Sequence, residues 1–421
     1  MIPPTNPAPT APFYVLAKPA GPACNLRCNY CFYLEKKDLF GREQSTRMQE
    51  DTLEAFVRDY IAAQDAPEVV FGWQGGEPTL RGLDFFRRAV DLQRVYAGGR
   101  KVSNAIQTNG MLLDAEWAEF LAANDFLVGI SIDGPEELHD AQRIDANRSG
   151  THARVLQGLA HLKAHGVEFN TLTVVSRSNA KHPLKVYRYL KEIGSRYIQF
   201  IPLVERSMKR GASGALAGPP ALANLRDAEV AKWSVSPVAY GDFLVAVFEE
   251  WVRQDVGSVF VQMFDTALAS WVGEGSRLCV FAETCGRQVA LEHDGSVYAC
   301  DHYVYPEFRL GNMKDTPLAD LLDSEVQRRF GAAKRDALPA QCRRCESRFA
   351  CNGGCPKHRF QHSADGEFGL NYLCAGYRSF FRAVDPHMRT MAQLLRQGRA
   401  PAEIMGMQAP KATLRKGSAR R

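Results

Sequence analysis

The chain is 421 residues long, which at roughly 150 residues per domain corresponds to about two or three domains. Its 45% hydrophobic, 24% charged and 10% aromatic residues are those of a folded globular protein and exclude a disordered or collagen-like chain. The net charge of +5 comes from the last eleven residues, KATLRKGSARR, which hold five basic groups and no acid. The rest of the chain balances, so charge provides no argument for nucleic-acid binding. No stretch approaches the ~20 apolar residues of a membrane-spanning helix. The proline-rich start, MIPPTNPAPTAP, has neither the basic nor the apolar part of an export signal. A cytoplasmic protein without membrane or nucleic-acid partners is expected.

Between residues 13 and 205, short apolar runs alternate with amphipathic stretches. Strands are predicted at residues 13–18, 68–73, 104–108, 126–133, 169–175 and 197–203. Helices are predicted between them at 49–63, 83–95, 114–124, 153–166 and 183–194. This alternation implies right-handed βαβ units and a parallel sheet with its chemistry at the strand C-termini. Six units fall short of the eight of a closed barrel, so the expected fold is α/β, a partial (β/α)6 barrel. Residues 207–237, rich in Ala, Gly and Pro, read as a loop-rich connection, and 240–254 as an aromatic helix. From 279 to 377 the apolar periodicity is weak, and bound metal is the expected source of stability there. The implied division is a flexible start (1–12), the barrel with its connection (13–237), a helical linker (238–278), a loop-rich cysteine domain (279–384), and a C-terminal helix with a basic tail (385–421).

Eleven cysteines cluster at the two ends of the chain, with none between positions 32 and 278. An odd, clustered set without an export signal argues for metal or cluster ligation over disulfides. Cys24, Cys28 and Cys31 form C-x3-C-x2-C directly after the first predicted strand. Three thiolates suit a 4Fe-4S cluster with one iron left open to a ligand. The second group runs C-x5-C-x14-C through Cys279, Cys285 and Cys300, then C-x2-C-x5-C-x3-C-x18-C through Cys342, Cys345, Cys351, Cys355 and Cys374. Its eight thiolates are enough for two fully ligated clusters. A zinc ribbon on Cys342, Cys345, Cys351 and Cys355 is the alternative, but the upstream cysteines, which one zinc cannot use, favour iron and sulfur. His302 and His358 lie near cysteines and read as surrounding residues, because the thiols already complete the sets.

With AGPACNLRCNYCFY, and Tyr30 before the third cysteine, the sequence resembles the radical S-adenosylmethionine (SAM) superfamily. In GWQGGEPTL, Gly75, Gly76 and Glu77 after Gln74 match that superfamily's GGEP segment, whose backbone approaches the methionine amino group. QTNG and SIDGP end the third and fourth strands. By the same resemblance Gln107, Ser131, Arg143 and Leu203 join Tyr30 and Gln74 in the SAM site, with Arg143 facing the carboxylate. The other reading of Arg143 is a surface residue beside Asp140 and Asp145. The C-terminal cysteines resemble the SPASM domain, which would place the first auxiliary cluster on Cys279, Cys285, Cys300 and Cys355. The second would lie on Cys342, Cys345, Cys351 and Cys374.

The words CNYCFY with Tyr33, WQGGEPTL, QTNG, SIDGP, IQFIPLVE, YACDHYV and CNGGCPKHR together resemble the anaerobic sulfatase-maturating enzymes, from about Phe13 to Phe381. That resemblance implies three 4Fe-4S clusters and SAM as cofactors, an unfolded sulfatase polypeptide as substrate, and a flavodoxin- or ferredoxin-type electron donor. It implies that a 5′-deoxyadenosyl radical takes a hydrogen from Cβ of the Cys or Ser in a Cys/Ser-x-Pro/Ala-x-Arg motif, giving Cα-formylglycine. Asp301, beside Cys300, is the implied base and Tyr33 a substrate contact. The structural alternative for Asp301 is a turn cap or an ion pair with Arg287. A SPASM enzyme that crosslinks or modifies another ribosomal peptide is the second reading.

Overall fold

The computed structural model describes residues 12–40, 46–208, 216–221 and 227–407. The basic tail, nearly all of the proline-rich start and parts of the Ala/Gly-rich connection lie outside them. The expected alternation is present. It runs β1 (Tyr14–Ala17), α1 (Glu50–Ala62), β2 (Glu68–Trp73), α2 (Leu83–Tyr96), β3 (Lys101–Thr108) and α3 (Ala115–Ala123). It continues through β4 (Phe126–Ser131), α4 (His152–Ala164), β5 (Phe169–Val175), α5 (Pro183–Glu192) and β6 (Tyr197–Pro202). The six strands lie side by side in chain order and all pair parallel. Helices cover one face and the other turns toward the cavity, so buried and partly buried residues alternate along β2 and β3. In β4 every residue but Leu127 is buried. Behind β2, Phe56, Phe71, Trp73 and Phe86 interlock edge to face and stack in the core. Asp114 caps α3 by accepting from the Trp117 N–H at 2.9 Å.

Beyond β6, α6 (Pro237–Gln254) starts at a Ser236 cap, β7 (Phe260–Val261) adds parallel to β6, and α7 (Gln262–Val272) follows. The cysteine-rich region then returns to the opposite edge of the sheet. Its β8 (Gln288–Leu291) pairs parallel with β1, Tyr14 opposite Gln288 and Ala17 opposite Leu291. β9 (Ser296–Tyr298) and β10 (Arg309–Asn312) extend the edge antiparallel, and α8 (Glu325–Asp336) follows them. The result is one open ten-stranded sheet, ordered β10-β9-β8-β1-β2-β3-β4-β5-β6-β7. The first strands after residue 279 thus complete the barrel sheet, a pairing that three- and four-residue runs do not announce in sequence.

The C-terminal helix also differs from expectation. It begins at Cys374, not at residue 385, and α9 (Cys374–Arg396) runs on through Pro386. One buried stripe, Tyr377, Phe380, Phe381, Val384, Met388 and Met391, crosses the expected boundary and holds the helix together through tertiary packing. α9 lies along α6 so closely that a Cβ on Gly376 would stand 2.0 Å from the Pro237 carbonyl oxygen. Among the described residues no helix is long and apolar enough to cross a membrane.

Candidate active site

The loops at the C-terminal ends of the parallel strands surround a cavity of about 480 Å³. Cys24, Cys28 and Cys31 open onto it from the loop after β1, and Gln74, Gly75 and Gly76 from the loop after β2. Gln107 in β3, Ser131 at the end of β4 and Leu203 after β6 face it as well. Tyr30, Tyr33, Arg143 and Asp301 complete the wall.

The β2 loop is hung on the cysteine loop by its backbone. Gln74 N donates to Ala17 O at 2.9 Å, Gly76 N to Gly21 O at 2.8 Å, and Glu77 N to Ala23 O at 2.8 Å. A Cβ on Gly76 would stand 2.0 Å from Ala23 O. The small residue is therefore required by the neighbouring loop as well as lining the cavity. The carboxylate of Glu77 itself is fully buried. One oxygen accepts from Thr79 N (3.1 Å), Thr79 Oγ1 (2.6 Å) and Thr108 Oγ1 (2.7 Å), the other from Asn109 N (2.7 Å). Burial pushes this carboxyl upward while the donors pull it back, and its work is to clamp the β2 loop to the end of β3.

Beside the cysteine loop, Asp133 of SIDGP is 1% exposed. It accepts from Tyr30 OH at 2.6 Å, Arg143 Nε at 2.9 Å and Val174 N at 2.9 Å. Arg143 is thus a buried wall residue paired with Asp133, and the alternative of a surface arginine beside Asp140 and Asp145 does not hold. Cys24 and Cys28 are each pushed up to about 12 by burial, with Glu77 adding to the shift at Cys24 and Arg143 opposing it at Cys28.

Asp301 reaches the same cavity from the cysteine-rich region. Its partner is Lys18, at the end of β1, and not Arg287, which pairs with Asp323 at 2.9 Å. Burial works against the Asp301 charge, but the Lys18 ammonium outweighs it, leaving the carboxyl below its usual range. Lys18 is 1% exposed and its Nζ lies 4.9 Å from the Tyr33 ring centroid. Tyr33 presents its ring to the cavity and donates its hydroxyl to the fully buried Glu292. Nearby, Lys357 pairs with Glu205 and sits 4.5 Å over the Phe32 ring, which stacks on His302. Burial lowers His302 to about 3, so it is a neutral ring. Lys18, Glu205 and Lys357 were not expected from the sequence; the one signal at hand is a lysine ending the otherwise apolar run FYVLAK.

All eleven cysteines are free thiols. Beyond the cavity triad they form two groups whose members act electrostatically on one another. Cys355 is near Cys279, Cys285 and Cys300, while Cys342, Cys345, Cys351 and Cys374 line a second cavity of about 310 Å³. Backbone N–H groups point at several sulfurs, among them Cys31, Cys300, Cys351 and Cys355, and favour the thiolate form. Among the described residues no three His, Cys, Asp or Glu side chains are arranged to hold a single metal ion. Soft sulfur donors in groups of three, four and four fit the chemistry of iron–sulfur clusters.

Residues 19–190 match the radical SAM superfamily and residues 279–346 the SPASM iron-sulfur cluster-binding domain. The chain is 47% identical over 394 residues to a serine-type anaerobic sulfatase-maturating enzyme of Bacteroides thetaiotaomicron, covering 94% of each chain. This chain belongs to the anaerobic sulfatase-maturating enzymes. A cysteine-type family member from Clostridium perfringens is 34% identical over 388 residues, covering 90% of this chain and 98% of that one. The structure of native anSMEcpe with bound AdoMet and Cp18Cys peptide superposes with a TM-score of 0.79 at 33% identity, over 91% of this chain and all of the other. In this sulfatase-maturating enzyme the thiol triad and the Asp301 carboxylate line one and the same cavity.

Proposed function

We propose that the two walls of the cavity divide the labour of formylglycine formation. As a sulfatase-maturating enzyme the chain oxidises a Cys or Ser side chain of a sulfatase polypeptide to Cα-formylglycine. We place the target within Cys/Ser-x-Pro/Ala-x-Arg. When bound, SAM and three 4Fe-4S clusters supply the radical chemistry and the route for electrons. Cys24, Cys28 and Cys31 would hold the first cluster, and Cys279, Cys285, Cys300 and Cys355, then Cys342, Cys345, Cys351 and Cys374, the other two. Gln74, Gly75, Gly76, Gln107, Ser131, Leu203, Tyr30 and Arg143 form the wall against which SAM would be oriented. Arg143 keeps its charge there because Asp133 neutralises it.

The reaction removes two electrons and two hydrogens from the target side chain, which turns serine directly into the aldehyde and cysteine into a thioaldehyde that water hydrolyses with loss of hydrogen sulfide. One hydrogen leaves Cβ as an atom. The other leaves Oγ or Sγ as a proton, and Asp301 is its acceptor, with Lys18 keeping the carboxylate ionised and aimed. The ring of Tyr33 packs against the incoming side chain. The observation that carries this reading is the convergence of Asp301 with the thiol triad on one cavity from opposite ends of the chain. A one-electron carrier of flavodoxin or ferredoxin type would serve as donor, and eleven unbridged cysteines suit the reducing cytoplasm.

Serine is the first target to test, given the higher identity to the serine-type relative. Anaerobic incubation with SAM, a reductant and peptides bearing either residue, followed by mass spectrometry, should show aldehyde formation with matching release of 5′-deoxyadenosine. An unmodified peptide under conditions that cleave SAM would refute the reading.

A further inference from the structure

Two cations are buried in the C-terminal region with only neutral carbonyls bonded to them. Lys334 is 1% exposed, and its Nζ donates to the carbonyls of Cys279 (2.6 Å), Val280 (3.0 Å) and Ala282. Three acceptors on one nitrogen use three hydrogens, the number an ammonium carries and a neutral amine lacks. Arg359 is 5% exposed and donates to the carbonyls of Gly353 (3.0 Å), Lys334 (2.5 Å), Asn352 (2.8 Å) and Gly354 (3.1 Å). Among the described residues neither cation is paired with a carboxylate. Carbonyls solvate a cation without cancelling it, and an uncompensated buried charge is strongly unfavourable.

The cysteine sulfurs are the groups placed to answer them with negative charge once ionised. Lys334 faces Cys279, Cys285 and Cys355. Arg359 faces Cys285 and Cys355 of the same set, and Cys342 and Cys351 of the other. It therefore stands between the two sets, whereas Lys334 serves one. The other charges nearby have partners of their own or face solvent, although Lys357 acts on Cys355 more strongly than Lys334 does. Asp301 and Lys357 lie beside the first set but are paired with Lys18 and Glu205. Arg343 and Arg378, beside the second, are exposed and screened by solvent.

We propose that Lys334 and Arg359 tune the reduction potentials of the two auxiliary clusters and make the one on Cys279, Cys285, Cys300 and Cys355 the easier to reduce. The inference rests on those thiols holding 4Fe-4S clusters. Each cluster gains one negative charge on reduction, so a buried cation stabilises its reduced form. The consequence is a drive for taking the second electron from the substrate at the wall that carries Asp301.

The test is a potentiometric titration followed by electron paramagnetic resonance on anaerobic full-length protein, after iron and sulfide are counted. Signals are assigned with Cys374→Ala, which breaks the second set. Lys334→Met should make reduction of the first auxiliary cluster about tenfold less favourable, a drop of about 59 mV for one electron, and leave the second unmoved. Arg359→Gln should lower both, and Arg359→Lys, which keeps the charge, should restore them. Full iron with unmoved potentials would overturn the tuning role while leaving the cluster assignment intact. Wild-type protein with iron only at the N-terminal triad would overturn the cluster assignment instead. Should the variants fail to hold iron, the wild-type titration still decides, because a first auxiliary cluster that reduces at lower potential than the second contradicts the proposal.

Discussion

Replacing Lys18 by Met should disable the proton acceptor without touching the thiol triad. The ion pair with Asp301 is desolvated, the side chains being 1% and 13% exposed. Removing one partner of such a pair typically costs about 3–5 kcal/mol, because the remaining charge is left buried alone. Burial, no longer opposed by that ammonium, then drives the Asp301 carboxyl upward and favours its protonated form, which cannot accept another proton. Aldehyde formation should fall by the ~10²–10⁴-fold typical of losing a general base, while SAM cleavage persists. Stability has a matching signature. In the wild type the folded carboxyl lies below its unfolded value, so its contribution is present at pH above the unfolded value and is lost as pH falls through the folded one. Wild type and Lys18→Met should therefore differ near neutral pH and converge in acid. Denaturant titration across pH, with aldehyde and 5′-deoxyadenosine measured in parallel, checks both halves. Adding Asp301→Asn to Lys18→Met should recover part of the lost stability, since no buried charge remains. If Lys18→Met keeps wild-type stability and aldehyde yield, the ion pair has no such role.

Asp301→Asn alone should likewise give 5′-deoxyadenosine with little aldehyde, and a near-normal aldehyde yield would contradict the base assignment. Replacing Cys24, Cys28 and Cys31 together by Ala should abolish 5′-deoxyadenosine production yet leave the C-terminal iron in place, which iron analysis and turnover assays will show. Gly76→Ala should force the β2 loop off the cysteine loop, because its Cβ falls 2.0 Å from Ala23 O; SAM affinity measured by calorimetry should drop at least tenfold, and unchanged affinity would show that the loops adjust freely.

The barrel was legible because its strands are apolar runs separated by helices of period 3.6, a local signal. The thiol triad was legible because its spacing is short and falls directly after a strand. Neither advantage extends to contacts made at long range. Lys18 and Asp301 are 283 positions apart, and nothing near either residue marks the other as its partner. Gly76 is required by the backbone of the neighbouring cysteine loop, at Ala23, which its own motif does not mention. Glu77 sits inside a recognised motif, and nothing in that motif announces that its carboxylate clamps the loop after β2 to the end of β3. The α9 boundary was misplaced because the cysteine-rich loops before it end on a ligand-type residue, Cys374, that is also the first residue of the helix.

The strands contributed by the cysteine-rich region explain how distant residues are brought to one point. Lys18 N donates to Leu291 O at 2.8 Å, so the pairing of β1 with β8 continues one residue past the strand end, to the position where the lysine turns into the cavity. Adjacent residues on a strand face opposite sides, and a slip of one position in this pairing would displace β8, and the loop carrying Asp301, relative to Lys18. Tyr33 and Glu292 make a second tie across the same seam, from the cysteine loop to the residue after β8. The thiol triad and the carboxylate are therefore held in register by sheet hydrogen bonds and by a buried tyrosine–glutamate contact. On this reasoning the cysteine-rich region is an integral part of the active-site scaffold, and the proton acceptor owes its position to the sheet edge as much as to the cysteine beside it.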